Sequence, residues 1–232
     1  MSVSDDLRFS MSLDQKRKTL SQVEIVNAHI TSFDVGSNLK ADEEIRIEDV
    51  IFSRCQIGPG RFEIGAGVSL SRVVFDNVSS PASLVISSDA LLDRVVLRGK
   101  PKNGGLWLRP DEVFDAIRSE QYRKTAANHA MKTQLMLDIA DYEADHIEVL
   151  GIPIEKVKFD ESKHVVVRKE MGDGVDWATL GIPPSSFWRI CLLRLHTFEV
   201  DVGIFGLPLG VVQRQDAVEE IRRLRAVKNS PT

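Results

Sequence analysis

The sequence predicts a mixed β and α+β fold: a short right-handed parallel β-helix over residues 1–110, a helical brace over 111–145 and a smaller α+β region over 146–232. Three observations predict it. One apolar pattern recurs four times at near-constant spacing, a second apolar ladder is interleaved with the first, and the periodicity becomes helical after Pro110.

The four segments are Leu20-Ser-Gln-Val-Glu-Ile25, Ile47-Glu-Asp-Val-Ile-Phe52, Leu70-Ser-Arg-Val-Val-Phe75 and Leu92-Asp-Arg-Val-Val-Leu97. Each reads as an apolar residue, two mostly polar ones, valine, any residue and a large apolar residue. Their first residues lie 27, 23 and 22 positions apart, and internal periods of this size mark stacked repeats. Between them, Phe62-Glu-Ile64, Leu84-Val-Ile86 and Leu106-Trp-Leu108 recur every 22 residues, so each repeat carries at least two strands. Strand side chains alternate between faces. Val23, Val50, Val73 and Val95 are therefore expected to stack inward with Ile25, Phe52, Phe75 and Leu97.

Three positions further on, Ala28, Cys55 and Val78 are equivalent. This makes Cys55 a rung in an apolar column, where an unpaired cysteine behaves as a small hydrophobe. Turns are expected at Gly58-Pro-Gly60, Gly65-Ala-Gly67, Ser79-Ser-Pro81 and Gly104-Gly105. The alternative architecture is a leucine-rich-repeat-like solenoid. Ile47 to Ile57 resembles that family's LxxLxLxx(N/C)xL signature, but Ala28 and Val78 depart from it where Cys55 fits. The returning segments are also short, β-branched and glycine-rich instead of helical, which favours the β-helix. A hexapeptide acyltransferase helix is disfavoured because the period exceeds three six-residue sides.

Alternation sends Glu24, Ile51, Val74 and Val96 outward. An exposed apolar ladder costs about 25 cal/mol per Å² in water, so residues 111–140 are expected to fold back over it as one long or two short helices. Their apolar positions are Val113, Phe114, Ile117, Met131, Leu135 and Ile139. Beyond 146, strands are expected over Ile147–Leu150, Ile154–Phe159 and His164–Arg168. A serine-capped helix should start at Ser185, strands should return at Phe198–Phe205 and Leu209–Val212, and Asp216 should open a last helix ending near Val227. The repeated Leu150-Gly-Ile-Pro153 and Leu180-Gly-Ile-Pro183 read as similar turns.

Composition narrows the function classes. Apolar content of 43% and charged content of 28% are those of a globular chain. Lys+Arg 30 against Asp+Glu 34 leaves a net charge of −4, without the basic footprint that nucleic-acid binding requires. Two distant cysteines suggest neither a disulfide framework nor zinc. The N-terminus lacks a signal-peptide pattern and no stretch reaches transmembrane length, so the expected location is the cytoplasm, with no membrane or nucleic-acid partner.

No catalytic, cofactor or metal signature emerges. Asp138, Asp141, Glu143, Asp145, His146 and Glu148 could in principle hold a divalent cation, but their spacing matches no known ligand motif and a polar helix end is the plainer reading. The glycine pairs lack a phosphate-loop context, and there is no GxSxG elbow. Charged bends at Glu48-Asp49, Ser71-Arg72 and Asp93-Arg94, together with Trp107, are the candidate partner-binding positions, specifically Asp49, Arg72, Asp93, Arg94 and Trp107. Cross-strand ion pairing is the structural explanation of the same charges.

The function expected is a non-enzymatic protein-binding module, since solenoids present extended rigid surfaces. A bacterial immunity or antitoxin-like protein that masks another protein fits size, acidity and compartment. The alternatives are an enzyme acting on carbohydrate or nucleotide-sugar in a solenoid groove, and a scaffold that forms homo-oligomers through its end strands.

Overall fold

The computed structural model describes residues 2–3, 9–13, 19–36, 45–111 and 116–228. In chain order the elements are β1 (Ser2–Val3), β2 (Phe9–Leu13), β3 (Thr19–Val26), β4 (His29–Val35), β5 (Ile45–Ser53), β6 (Gln56–Ile57), β7 (Phe62–Ile64), β8 (Val68–Ser71), β9 (Val74–Asp76), β10 (Leu84–Ser87), β11 (Leu91–Asp93), β12 (Val95–Arg98), β13 (Gly105–Arg109), α1 (Ala116–Lys132), β14 (Leu137–Asp138), β15 (His146–Leu150), β16 (Val157–Lys158), β17 (His164–Arg168), α2 (Phe187–Thr197), β18 (Val202–Gly206) and α3 (Val211–Lys228).

The repeated segments pair with one another as parallel strands, in register. Leu20 lies beside Ile47, Ile47 beside Leu70, and Leu70 beside Leu92. Phe52, Phe75 and Leu97 form a second row. Among the described residues the result is a mixed α+β architecture with curled, largely parallel sheets and three α-helices. One nine-stranded sheet runs β1-β3-β5-β9-β12-β14-β16, with β8 and β11 alongside. The other runs β17-β18-β15-β13-β10-β7-β4-β2, with β6 beside β4. Among the described residues only β18 is antiparallel to its neighbours, β15 and β17.

The two sheets enclose a common core. Val50, Val73 and Val95 are each fully buried, as are Phe52, Phe75 and Leu97 to within 1%; Val23, at the first repeat, is partly buried. Phe33 stacks on Phe62 at 5.0 Å and Phe52 on Phe75 at 5.2 Å, while Phe33 meets Phe52, and Phe62 meets Phe75, edge to face across the sheets. Offset and edge-on rings add to the burial term. Ala28, Cys55 and Val78 are buried rungs of one column; the Cys55 thiol donates weakly to the Ile25 carbonyl at 3.4 Å, and burial raises its pKa.

The three-residue step in the repeat has a conformational cause. Gln22, Asp49, Arg72 and Arg94 all adopt φ near +54°, as do Asn27, Arg54 and Asn77 at the next corner. A left-handed residue turns the strand and resets alternation, so Ile47 and Val50, three apart, both point inward. At the second corner the backbone N–H of Asn27 donates to Ser53, Arg54 to Asp76 and Asn77 to Arg98. Gly99 follows in the same column at φ +94°, a conformation suited to glycine, and a side chain there would collide with Asn77.

The parallel pairing continues past residue 110, where the regular sequence period ends. Leu137 pairs with Val95 and with Val157, extending the valine column. Helix α1 is thus an insertion between successive rungs. It is shorter than the helix expected to reach 140: it stops at Lys132, Leu135 follows it, and Ile139 belongs to the core beside β14. Val113 and Phe114 lie outside the described residues. Met131 is 73% exposed. The helix rests against β11, with Tyr122 over Gly67 and the His129 ring bonded to the Leu92 carbonyl at 2.9 Å. Ile51, Val74 and Val96 are half-buried.

A second core forms on the outer side of the β15, β18 and β17 end, where Leu150, Val167 and Phe205 meet Trp188, Leu192 and Leu195 of α2 and Leu224 of α3. Ser186 caps α2, accepting from the Arg189 N–H. The expected strand at Leu209–Val212 is instead the start of α3: Gly210 accepts the first helical bond, from Arg214, and the two β-branched valines sit in an exposed first turn. Among the described residues no helix is long and apolar enough to cross a membrane.

Truncating the inward ring in Phe52→Ala is expected to cost about 3–5 kcal/mol in urea unfolding, whereas Ile51→Ala, one residue away on the outer face, should cost about 1 kcal/mol or less. Equal losses at both positions would contradict the inward and outward assignment.

Candidate functional site

The five candidate residues fall in two places. Asp49, Arg72, Asp93 and Arg94 lie at the first corner of one sheet, and Trp107 lies on the outer side of the other. The corner charges are matched among themselves. Arg72 donates to both oxygens of Asp49, at 2.7 Å for the Nη2–Oδ2 bond, and Arg94 donates to Asp93 at 3.0 Å. Ser71 also donates to Asp93. Each guanidinium holds its carboxylate partner below the usual range. Exposed pairs of this kind contribute little to stability. A shallow, polar depression next to them is bordered by Asp93, Arg94, His129 and Lys132.

Trp107 instead borders a groove of about 670 Å³. Its position follows from register: Val85, Trp107, Glu148 and Phe205 are successive cross-strand partners on β10, β13, β15 and β18. Helices α2 and α3 cover the last of these strands but end short of β13, so the groove opens at the margin of the second core. Phe187, Ile190, Cys191 and Arg194 line it from α2; Gln213, Asp216, Ala217 and Glu220 line it from α3. The helices are tied together by the buried Trp188, whose Nε1–H donates to the Ala217 carbonyl at 2.6 Å.

The floor is held by charge-assisted contacts. Arg194 grips Glu148 in a bidentate pair at 2.8 and 3.1 Å, with the Glu148 side chain only 9% exposed. The Arg109 guanidinium lies 4.7 Å from the Trp107 ring centre and 5.1 Å from that of Phe198, and Arg194 sits 4.9 Å from Phe198. On the α3 wall, Glu220 differs: its Oε2 is buried without a hydrogen-bond partner among the described residues. Burial first, then the neighbouring Asp216, pushes its carboxyl up, against a smaller opposing pull from Arg223 and Ser186. Cys191 is held well above its ordinary value by burial and by Glu148, so it stays a thiol at neutral pH and is a poor nucleophile.

The acidic stretch 138–148 does not gather at one point. Asp138 pairs with Lys158, Glu143 with Lys100 and Lys163, and Glu148 with Arg194, while Asp145 and His146 border the groove. Among the described residues no three His, Cys, Asp or Glu side chains group as a metal site. Of the residues singled out in the sequence, Trp107 lines this groove, and the groove-lining residues of α2 and α3 were not among them. A signal for them existed: residues 187–195 are apolar on nearly every side, more than one packed face requires.

Fold and groove together define a mixed α+β protein with a partly apolar, acid-rimmed groove at the margin of its second core. No family model, curated protein or solved structure matches the chain.

Away from the groove, Asp89 is 7% exposed and its carboxyl is raised to about 6, by burial first and then by the charge of Asp111, opposed by Arg123. A folded-state value above the unfolded one means that the fold favours the protonated form, so stability falls as pH rises from about 4 to about 6 and the penalty persists above that window. Asp89→Asn is therefore expected to gain about 1–2 kcal/mol at pH 7.5, discounted for partial solvent access, and little at pH 4. Thermal unfolding of both proteins at the two pH values checks this; a gain of equal size at pH 4 would contradict it.

Proposed function

We propose that this protein is a non-enzymatic protein-binding module that takes a partner segment in the groove bordered by Trp107, Ile190 and Glu220. The observation that carries this reading is the groove's composition. An aromatic and aliphatic wall from α2 and a polar wall from α3 face a strand floor on which Glu148 is paired with Arg194, and such sites suit an anchoring side chain with a polar rim around it. Scattering of the remaining charges supports binding over catalysis: the corner acids and arginines pair locally, and the groove's thiol is kept protonated. A rigid support is part of the reading. In-register parallel rows from β3 to β16 support a short parallel β-helix over a leucine-rich-repeat-like solenoid, because the returning segments β7, β10 and β13 are strands; the right-handed sense follows the usual preference of parallel crossovers. Masking of another protein, as an immunity or antitoxin-like protein does, is one use such a groove would serve.

A photo-crosslinking amino acid replacing Ile190 should give one dominant protein adduct in the native cell, and Trp107→Ala in the same chain should suppress it at least fivefold. The same amino acid at Val74, on the other sheet, should give no such adduct. Equal labelling from both positions would contradict the assignment of the groove.

A further inference from the structure

Helix α3 carries two kinds of acid. Glu219 is matched within the helix, to Arg222 at 2.9 Å and Arg223 at 3.3 Å. Asp216 and Glu220, four residues apart, lie on the face that lines the groove. Like charges at this spacing repel, and the desolvated Glu220 Oε2 lacks a donor. The cations nearest the floor are committed elsewhere: Arg194 to Glu148, and Arg109 between the Trp107 and Phe198 rings. What the wall lacks is a positive donor, and Phe187 and Ile190 opposite offer apolar surface for the stem that would carry one.

We infer that the groove selects a basic side chain of a protein partner, its guanidinium or ammonium group donating to Glu220 beside Asp216 while its methylene stem lies against Phe187 and Ile190. This rests on the protein-binding reading above and adds the chemistry of the anchor. Once the Glu220 carboxylate turns its buried Oε2 toward the groove, a docked cation supplies the missing hydrogen bond, relieves the repulsion between the two acids, and is desolvated against apolar walls that strengthen the pairing. A neutral apolar anchor would fill the space and leave the repulsion between Asp216 and Glu220 in place. An acidic anchor would add a third negative charge.

The test is selection of 12-residue peptides displayed on phage against the intact protein, with Ile190→Arg as the blocked-groove comparison. That position is 48% exposed, so the fold should tolerate the change, and circular dichroism of every variant verifies it. Selected peptides should share one Arg or Lys position next to an apolar residue and should be absent from the Ile190→Arg selection. Calorimetry on the best peptide should show about tenfold weaker binding to Glu220→Gln and unchanged binding to Glu219→Gln. Replacing the basic residue of the peptide by norleucine should cause a similar loss, with Glu220→Gln then adding none. Arginine and lysine versions measured side by side distinguish guanidinium from ammonium preference. Peptides that need an open groove but share no basic position, or that ignore Glu220→Gln, would overturn the cationic anchor and leave the groove reading standing. Equal selection by the wild-type and Ile190→Arg proteins would overturn both.

Discussion

Register between parallel strands is the constraint on which the rest of the molecule depends. Each strand edge satisfies its backbone groups on the neighbouring repeat, and a slip of one residue would send every inward side chain to the outer face. The column Val50, Val73, Val95, Leu137 and Val157, and on the facing sheet Ile64, Ile86, Leu108 and Val149, are consequences of that pairing. The four phenylalanine rings at the centre interlock between the sheets, so a register error in one sheet would displace the other.

Corners make this register compatible with a closed core. A non-glycine residue in the left-handed region costs about 1–2 kcal/mol, yet seven such residues occur at two corners, from Gln22 to Arg94 and from Asn27 to Asn77. Stacking them in columns lets several of them offset part of that cost through a bond to the next repeat: Arg72 reaches back to Asp49, Arg54 to Asn27, and the Asn77 side-chain carbonyl oxygen accepts from the Lys100 N–H. The charges at the bends are explained as corner ties of this kind.

Much of the core was legible because its period is short and its residues are nearly identical from repeat to repeat. The apolar-x-x-Val-x-apolar template encodes the corner itself, since the three-residue step is the length at which a left-handed residue restores the inward direction. Leu137 was not legible as a rung, because α1 is inserted between it and Val95 and hides the period. Residues 135–139 consequently read as helix. Val211 and Val212 misled in the opposite sense, their β-branching suggesting strand where Gly210 starts a helix. Of the groove, Trp107 stood out as the lone tryptophan of the second ladder. Glu220 did not, because its distinction lies in burial and in what surrounds it, and nothing in the order of residues separates it from the paired Glu219.

The groove inherits its geometry from the same register. Trp107 is one strand beyond the helical cover because β13 precedes β15 in the stack, and Glu148 meets Arg194 because outward positions on β15 face α2. A change in pairing would dissolve both core and groove. The most direct measurement is therefore solution NMR of the full chain with selectively labelled phenylalanine. Through-space contacts joining the rings of Phe52 and Phe75, and those of Phe33 and Phe62, are the result this account predicts; rings that contact only residues of their own repeat, with none between repeats, would contradict it.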